Sequence, residues 1–284
     1  VQSLEAKTAV VTGAASGLGL AFARRFARAG MAVVLADIEP PALDAAVAEV
    51  RELGVEALGV VTDVSDGASV DALAAAAFER FGTVNVVCNN AGVAGGMGGP
   101  PEQVDLAGWR WVIEVNLWGV IHGHRAFLPH LMGHGDGHIV NTASMAGHFP
   151  GHSAYTASKW AVVGITEGLY HQMNALGTGV GVSCLCPGWV RTRIADSDRN
   201  RPEWAAPPAL AEPTPEAEMR MAFVREALAG GMDPDRVADL VHDAVVGDRF
   251  WIFTDQAMVA SLEDRFRSVL EGRNPEPFGL FERD

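Results

Sequence analysis

Short runs of consecutive apolar residues alternate along the chain with longer segments whose apolar positions recur every three or four residues. "TAVVTG", "MAVVLAD", "VEALGVVTD" and "VNVVCNNAG" are of the first kind. "GLAFARRFARAG", "PALDAAVAEVREL" and "VDALAAAAFERFG", which lie between them, are of the second. An unbroken apolar run fits a strand buried on both faces, whereas a 3.6-residue period buries one helical stripe, so the order reads βαβαβαβ. The rhythm continues through a long helix from about Val104 to Leu131, the strand "GHIVNTAS", a helix from about Ser153 to Leu176, the strand "VGVSCLCPG" and a last strand "RFWIFTD". No linker or repeat interrupts it. Residues 1–284 are therefore expected to form one α/β domain, a doubly wound parallel sheet of about seven strands with helices on both faces.

The main break runs from Arg193 to about Pro215, "RIADSDRNRPEWAAPPALAEPTP", with five prolines and little periodicity. It follows the carboxyl end of the sixth strand, where open α/β sheets bind ligands, so residues 193–231 are expected to form a substrate lid, with a tolerated surface insertion as the alternative. Residues 256–284 read as an amphipathic helix followed by an irregular tail.

Charge narrows the class of partner. With 21 Lys and Arg against 35 Asp and Glu, the chain carries a net charge of −14, which argues against a nucleic-acid or anionic-membrane surface. The start lacks a charged segment followed by a long apolar run, and no uncharged stretch approaches the ~18 residues that span a bilayer, so a cytoplasmic protein is expected. Cys88, Cys184 and Cys186 lie in strand-like segments without metal spacing and read as buried thiols.

Candidate chemistry sits at the strand ends. The first strand runs into "TGAASGLG", where Gly13, Ser16, Gly17, Leu18 and Gly19 form a tight turn into a helix. Glycine there lets backbone N–H groups approach a pyrophosphate, and the helix amino end favours its charge. The second strand ends in Asp37, placed to accept hydrogen bonds from adenosine ribose hydroxyls and to repel a ribose 2′-phosphate. Neither Ser16 nor Ile38 supplies a cation for such a phosphate, and Arg24 and Arg25 read as solvated surface charges, so NAD(H) is favoured over NADP(H). Asp63, before Val64, could receive an adenine amino group or cap a helix. "NNAG", with Asn90, Ala91 and Gly92, would let backbone lie against the cofactor, although by itself it is a turn signature.

The segment "SAYTASKW" places Tyr155 and Lys159 one helical turn apart, behind Ser144 in "NTASMAG". On one helix face an ammonium can stabilise a phenolate and lower the tyrosine pKa, so that the phenol exchanges a proton with an alcohol near neutral pH. Taken in order, "TGAASGLG", Asp37, Asp63, "NNAG", Asn116 in "EVNLWGV", Ser144, "YTASK" and "PGWVRT" resemble the short-chain dehydrogenase/reductase family from about Lys7 to Asp255. The resemblance implies a Rossmann-like fold with Tyr155 as general acid/base and Lys159 lowering its pKa and binding the nicotinamide ribose. It further implies that Ser144 orients the substrate oxygen and that Asn116 holds a water linking Lys159 to solvent. Pro187 and Gly188 would shape the wall under the nicotinamide, beside Val190, with Thr192 reaching the carboxamide. A homodimer or homotetramer is the matching expectation.

The Ser144 to Tyr155 spacing is about two residues shorter than the family often has, which makes "MAGHFPGH" a short loop. Met97, His148, Phe149, Trp189 and Trp204 are the candidate substrate contacts, and they imply a small, neutral, fairly apolar alcohol or ketone. His130 and His134 have metal-ligand spacing but read as part of a glycine-rich loop, so no metal is expected. Trp109, Trp111 and Trp118 read as packing residues. Two alternatives stay open: an epimerase or dehydratase of the same fold that uses NAD transiently, and a non-catalytic dinucleotide sensor.

Overall fold

The computed structural model describes residues 3–95, 104–206 and 215–275. Seven strands form one parallel sheet in the order β3-β2-β1-β4-β5-β6-β7. They are β1 (Thr8–Thr12), β2 (Ala32–Asp37), β3 (Ala57–Val61), β4 (Val86–Asn89), β5 (Gly137–Thr142), β6 (Val180–Cys186) and β7 (Trp251–Phe253). Every residue of β1, β4 and β5 is buried, which is why these runs do not alternate with solvent-facing positions, and the polar Asn89, His138 and Asn141 among them are hydrogen-bonded inside the fold. The strand order reverses between β1 and β4, so the two halves of the sheet diverge there and leave a crevice beyond their carboxyl ends.

Two apolar layers sandwich the sheet. On one side Phe22 and Phe26 of α1 (Gly17–Arg28), Leu43 and Val47 of α2 (Pro40–Glu52) and Val237 and Val241 of α8 (Pro234–Val246) pack on Val11, Val33 and Leu185. On the other, Leu73 of α3 (Gly67–Phe81), Phe127 and Leu131 of α5 (Gly119–His134) and Leu169 of α6 (Ala154–Leu176) cover Val10, Val87 and Ile139. Arg24 and Arg25 are not solvated charges as expected. Arg24 pairs with Glu49 at 3.0 Å and Asp235 at 2.7 Å, and Arg25 with Asp239 at 2.9 Å, so both tie α1 to its neighbouring helices.

The helix expected over Val104–Leu131 is interrupted. α4 (Leu106–Ile113) passes through a π-helical turn at Glu114–Trp118 into α5, which continues to His134. His130 and His134 therefore stand on a helix, not in a loop, with ring centroids 5.0 Å apart, and both face the backbone of Val84. At the opposite end of the sheet from the crevice, His138 is fully buried. Its Nε2 lies 2.7 Å from Ser183 Oγ, and its Nδ1 faces Asp248 across 3.8 Å. Burial pushes this imidazole down to about 3.

Beyond β6 the proline-bearing segment folds as 3-10 turns at Ile194–Asn200 and Glu203–Ala205. It is followed by α7 (Pro215–Ala229), a helix that the sequence reading subsumed in the lid. Proline at the first helical position costs no hydrogen bond there, so "PTP" precedes a helix as readily as it breaks one. α9 (Gln256–Leu270) closes the described chain, packing Leu262 against the α6 side of the sheet.

Candidate active site

A cavity of about 970 Å³ opens along the carboxyl ends of the strands. One wall is the turn from β1 into α1. Gly13 adopts φ +67°, and a Cβ on Gly19 would lie 2.1 Å from the Gly13 carbonyl oxygen, so only glycine lets the helix start this close to the strand. Ser16 occupies the N-cap position without a side-chain cap, whereas α3, α4, α6, α8 and α9 are capped by Asp66, Asp105, Ser153, Asp233 and Asp255. The leading N–H groups of α1 receive no bond from that side chain, and the helix dipole favours an anion beside them. Gly13, Ser16, Gly17 and Leu18 line the cavity, while Gly19 lies behind the wall. These are features of a turn shaped for a dinucleotide pyrophosphate.

The neighbouring strand ends extend this wall. Asp37 Oδ2 accepts the Ala15 N–H at 2.9 Å and Oδ1 the Glu39 N–H at 3.1 Å, so the carboxylate holds the glycine turn in place while facing the cavity beside Ile38. Asp63 folds onto Ser65, accepting its N–H at 2.9 Å and its hydroxyl at 2.6 Å, and the helix cap belongs to Asp66 instead. Asp63 and Val64 line the same wall, with Asn90, Ala91 and Gly92 next along it. Asn90 spans two strands, donating to the Thr12 carbonyl at 3.0 Å and accepting from Thr142 Oγ1 at 3.2 Å.

Opposite the glycine turn, β5 delivers Ser144 and α6 delivers Tyr155 and Lys159. Ser144 Oγ accepts the Ala146 N–H at 3.1 Å, donates to the Pro187 carbonyl at 3.4 Å and stands beside the Tyr155 phenol. Lys159 Nζ donates to the Thr142 carbonyl at 2.8 Å and stands 5.6 Å from the centroid of the Tyr155 ring. Burial lowers the ammonium to about 8. Burial also raises the phenol above its ordinary range, the neighbouring Ser144 acting in the other direction. This corrects the expectation of a lowered tyrosine pKa: loss of water around the phenol outweighs the favourable neighbours. Asn116 sits in the π turn, its amide donating to the Val93 carbonyl at 2.9 Å and accepting the Val93 N–H at 2.8 Å. A third bond, its amide donating to Ser158 Oγ at 3.1 Å, joins it to α6, so this side chain pins the β4 loop beside Lys159. Pro187, Gly188, Val190 and Thr192 form the floor between these walls, with Gly188 N–H donating to Thr254 Oγ1 at 2.9 Å.

The expected substrate contacts divide. Trp189 and Trp204 line the cavity. Phe149 is 1% exposed and packs with Met145, Val162 and Cys186, while His148 is buried with Nε2 3.4 Å from Cys186 Sγ. Neither lines the cavity, because the 3-10 turn at Met145–Gly147 folds them inward, so the expectation that they contact substrate is corrected; Pro150, Gly151 and His152, the next residues of the loop, do line it. Met97 lies outside the described residues. Trp111, read as packing alone, is 3% exposed and also forms part of the wall with Met145, Val224, Leu228 and Met258.

The segment after β6 spans this cavity and is fastened at several points. Ser197 Oγ accepts the Ala94 N–H at 2.9 Å, Arg199 pairs with Glu39 at 2.7 Å, and Arg201 pairs with Asp105 at the start of α4. Arg201 also lies 5.7 Å over the ring of Trp111, and Arg110 5.2 Å over Trp204. None of these contacts is visible in the sequence, because their partners lie far away in the chain.

Comparisons with known proteins agree with this geometry. Residues 7–203 match the family described as short chain dehydrogenase. A 1-deoxy-11-beta-hydroxypentalenate dehydrogenase of Streptomyces exfoliatus is 38% identical, over 94% of this chain and 89% of its own length. A short chain dehydrogenase/reductase of Burkholderia phymatum, solved in complex with NAD, is 43% identical with a TM-score of 0.92, covering 99% of this chain and all of its own. A metagenomic short-chain oxidoreductase solved in complex with NADP is 29% identical with a TM-score of 0.68, over 88% of this chain and 96% of its own. Among the described residues no helix is long and apolar enough to cross a membrane. The glycine turn, the Ser144, Tyr155 and Lys159 cluster and these likenesses converge on one conclusion: the chain belongs to the short-chain dehydrogenase/reductase family of nicotinamide-dependent oxidoreductases.

Proposed function

We propose that the protein interconverts a secondary alcohol and a ketone with NAD(H), Tyr155 exchanging the proton. The observation that carries this reading is the gathering of Ser144, Tyr155 and Lys159 on one wall, facing the glycine turn across one cavity. The bound nicotinamide supplies or accepts the hydride. Gly13 to Leu18 would hold the pyrophosphate, Asp37 the adenosine ribose, and Lys159 and Thr192 the nicotinamide end.

The chain's own groups handle the proton and the orientation. A phenol held above its ordinary pKa is protonated at neutral pH, so Tyr155 is ready to donate to a carbonyl oxygen during reduction. In the oxidation direction the same oxygen takes the alcohol proton. Lys159, lowered only to about 8, keeps most of its charge at pH 7 and favours the phenolate as it forms. Ser144 lines the same wall as Tyr155 and so can hold the same substrate oxygen. Trp111, Met145, Trp189, Trp204, Val224 and Leu228 offer an apolar surface, which favours a neutral, largely hydrocarbon alcohol or ketone.

Absorbance at the reduced nicotinamide band tests this reading, with the purified protein offered alicyclic, aromatic, aliphatic and sugar alcohols and either NAD+ or NADP+. Reduction of NAD+ by one apolar alcohol class, lost in Tyr155→Phe, is the expected result. Undiminished turnover by that variant would remove the acid/base role, and faster reduction of NADP+ would remove the cofactor preference.

A further inference from the structure

Just past the strand end that carries Asp37, two segments distant in sequence meet at Glu39. Its backbone N–H donates to Asp37 Oδ1 at 3.1 Å, so two carboxylates belong to one turn. Three donors converge on Glu39 Oε1: Arg199 Nη2 at 2.7 Å, Asn200 Nδ2 at 2.8 Å and Arg199 Nε at 3.0 Å. The Asn200 and Arg199 bonds, with the field of Arg193, hold the carboxyl below its ordinary range. Glu39, Arg193, Arg199 and Asn200 all line the cavity that Asp37 faces.

The placement bears on cofactor choice. An adenosine ribose hydrogen-bonded to Asp37 brings its 2′ position to this turn, and arginine is the group that accommodates a 2′-phosphate there. Of the arginines in the cavity wall, two lie near this turn, but the guanidinium of Arg199 is engaged by Glu39 and that of Arg193 lies within its field. We propose that Glu39 is a second determinant of cofactor specificity, withholding the lid arginines Arg199 and Arg193 from a ribose 2′-phosphate. Discrimination against NADP(H) then has two sources, the charge of Asp37 and a contact made by the lid. The inference rests on reading the cavity as a dinucleotide site with its adenosine ribose at Asp37.

Titration of the purified full chain with NADH and with NADPH, followed by quenching of tryptophan fluorescence, separates the two claims. The parent protein is expected to bind NADH more tightly. Glu39→Gln keeps an acceptor for Asn200 and is expected to bind NADPH about tenfold more tightly while its NADH affinity changes little, with the gain shrinking as salt is raised. Arg199→Gln added to Glu39→Gln should erase the gain, and Arg199→Gln alone should weaken NADPH further. A Glu39→Gln protein that still binds NADH yet shows an unchanged NADPH affinity, or a gain that survives loss of Arg199, overturns the role of Glu39 and leaves the dinucleotide site standing. A parent protein that binds neither nucleotide, or prefers NADPH, overturns the cofactor reading and this inference together.

Discussion

The two walls of the cavity are built on opposite plans. The cofactor wall is made from strand ends and one helix start, fixed by the sheet itself, by the bond from Ala15 N–H to the Asp37 carboxylate and by the close approach of Gly19 to Gly13. The proposed substrate wall is made largely from the segment after β6, fastened by Ser197 on the Ala94 N–H and by the ion pairs of Arg199 and Arg201. The first depends on sheet register, so it is as stable as the core. The second depends on a few polar contacts that can open without unfolding the sheet. We propose that ligands exchange through this second wall while the first stays fixed.

The sharpest break in that comparison is Tyr155→Phe, which is expected to lower turnover about a thousandfold with NADH affinity intact, measured by steady-state kinetics beside a binding titration. Gly19→Ala should damage only the cofactor wall. Overpacking against the Gly13 carbonyl, at about 3 kcal/mol, predicts roughly a hundredfold weaker NADH binding, readable by fluorescence titration.

His138 belongs to neither wall and serves as a control. The folded protein keeps this imidazole neutral down to about 3, whereas the unfolded chain protonates below about 6.5, so stability present above 6.5 is lost as pH falls toward 3. By pH 5 the loss is about 2 kcal/mol, seen as a lower urea midpoint, and His138→Gln should flatten the slope in that window.

Proton exchange gives a further contrast. Because burial keeps the Tyr155 phenol protonated, kcat/KM for alcohol oxidation should rise up to about tenfold per pH unit from pH 6 toward 8, while carbonyl reduction stays flat. Above about 8 Lys159 loses its charge, so a further rise of the same slope would argue against its electrostatic part. The smallest effect belongs to the lid. Arg201→Ala removes its pair with Asp105, which is a third exposed, and at about 1 kcal/mol should raise the substrate KM roughly fivefold with NADH affinity unchanged.

The same division explains what the sequence could tell. Alternating apolar runs report which residues are buried, so the sheet and the helices covering it were legible, as was the motif-bearing wall, because those motifs sit at strand ends. What periodicity does not report is the partner. Arg24 and Arg25 look like surface charges until α8 is placed beside them, and Glu39 looks like an ordinary helix start until Arg199 arrives. His148 and Phe149 lie in a stretch whose glycines and proline resemble an exposed loop, yet the short turn after Ser144 folds them inward. The π turn at Glu114–Trp118 leaves no compositional trace, since one extra residue per turn hardly disturbs an amphipathic pattern.

The Arg24 to Asp235 pair joins residues 211 positions apart, and the Arg199 contacts to Glu39 close a loop of 160. Contacts of that separation form late, because the chain must lose loop entropy before it gains them. During refolding, β1 to β4 can assemble from the first third of the chain, yet a closed cavity requires segments beyond β6. Recovery of nucleotide binding should therefore lag behind recovery of helical circular dichroism, and a nascent chain would emerge with its sheet begun before its site is whole.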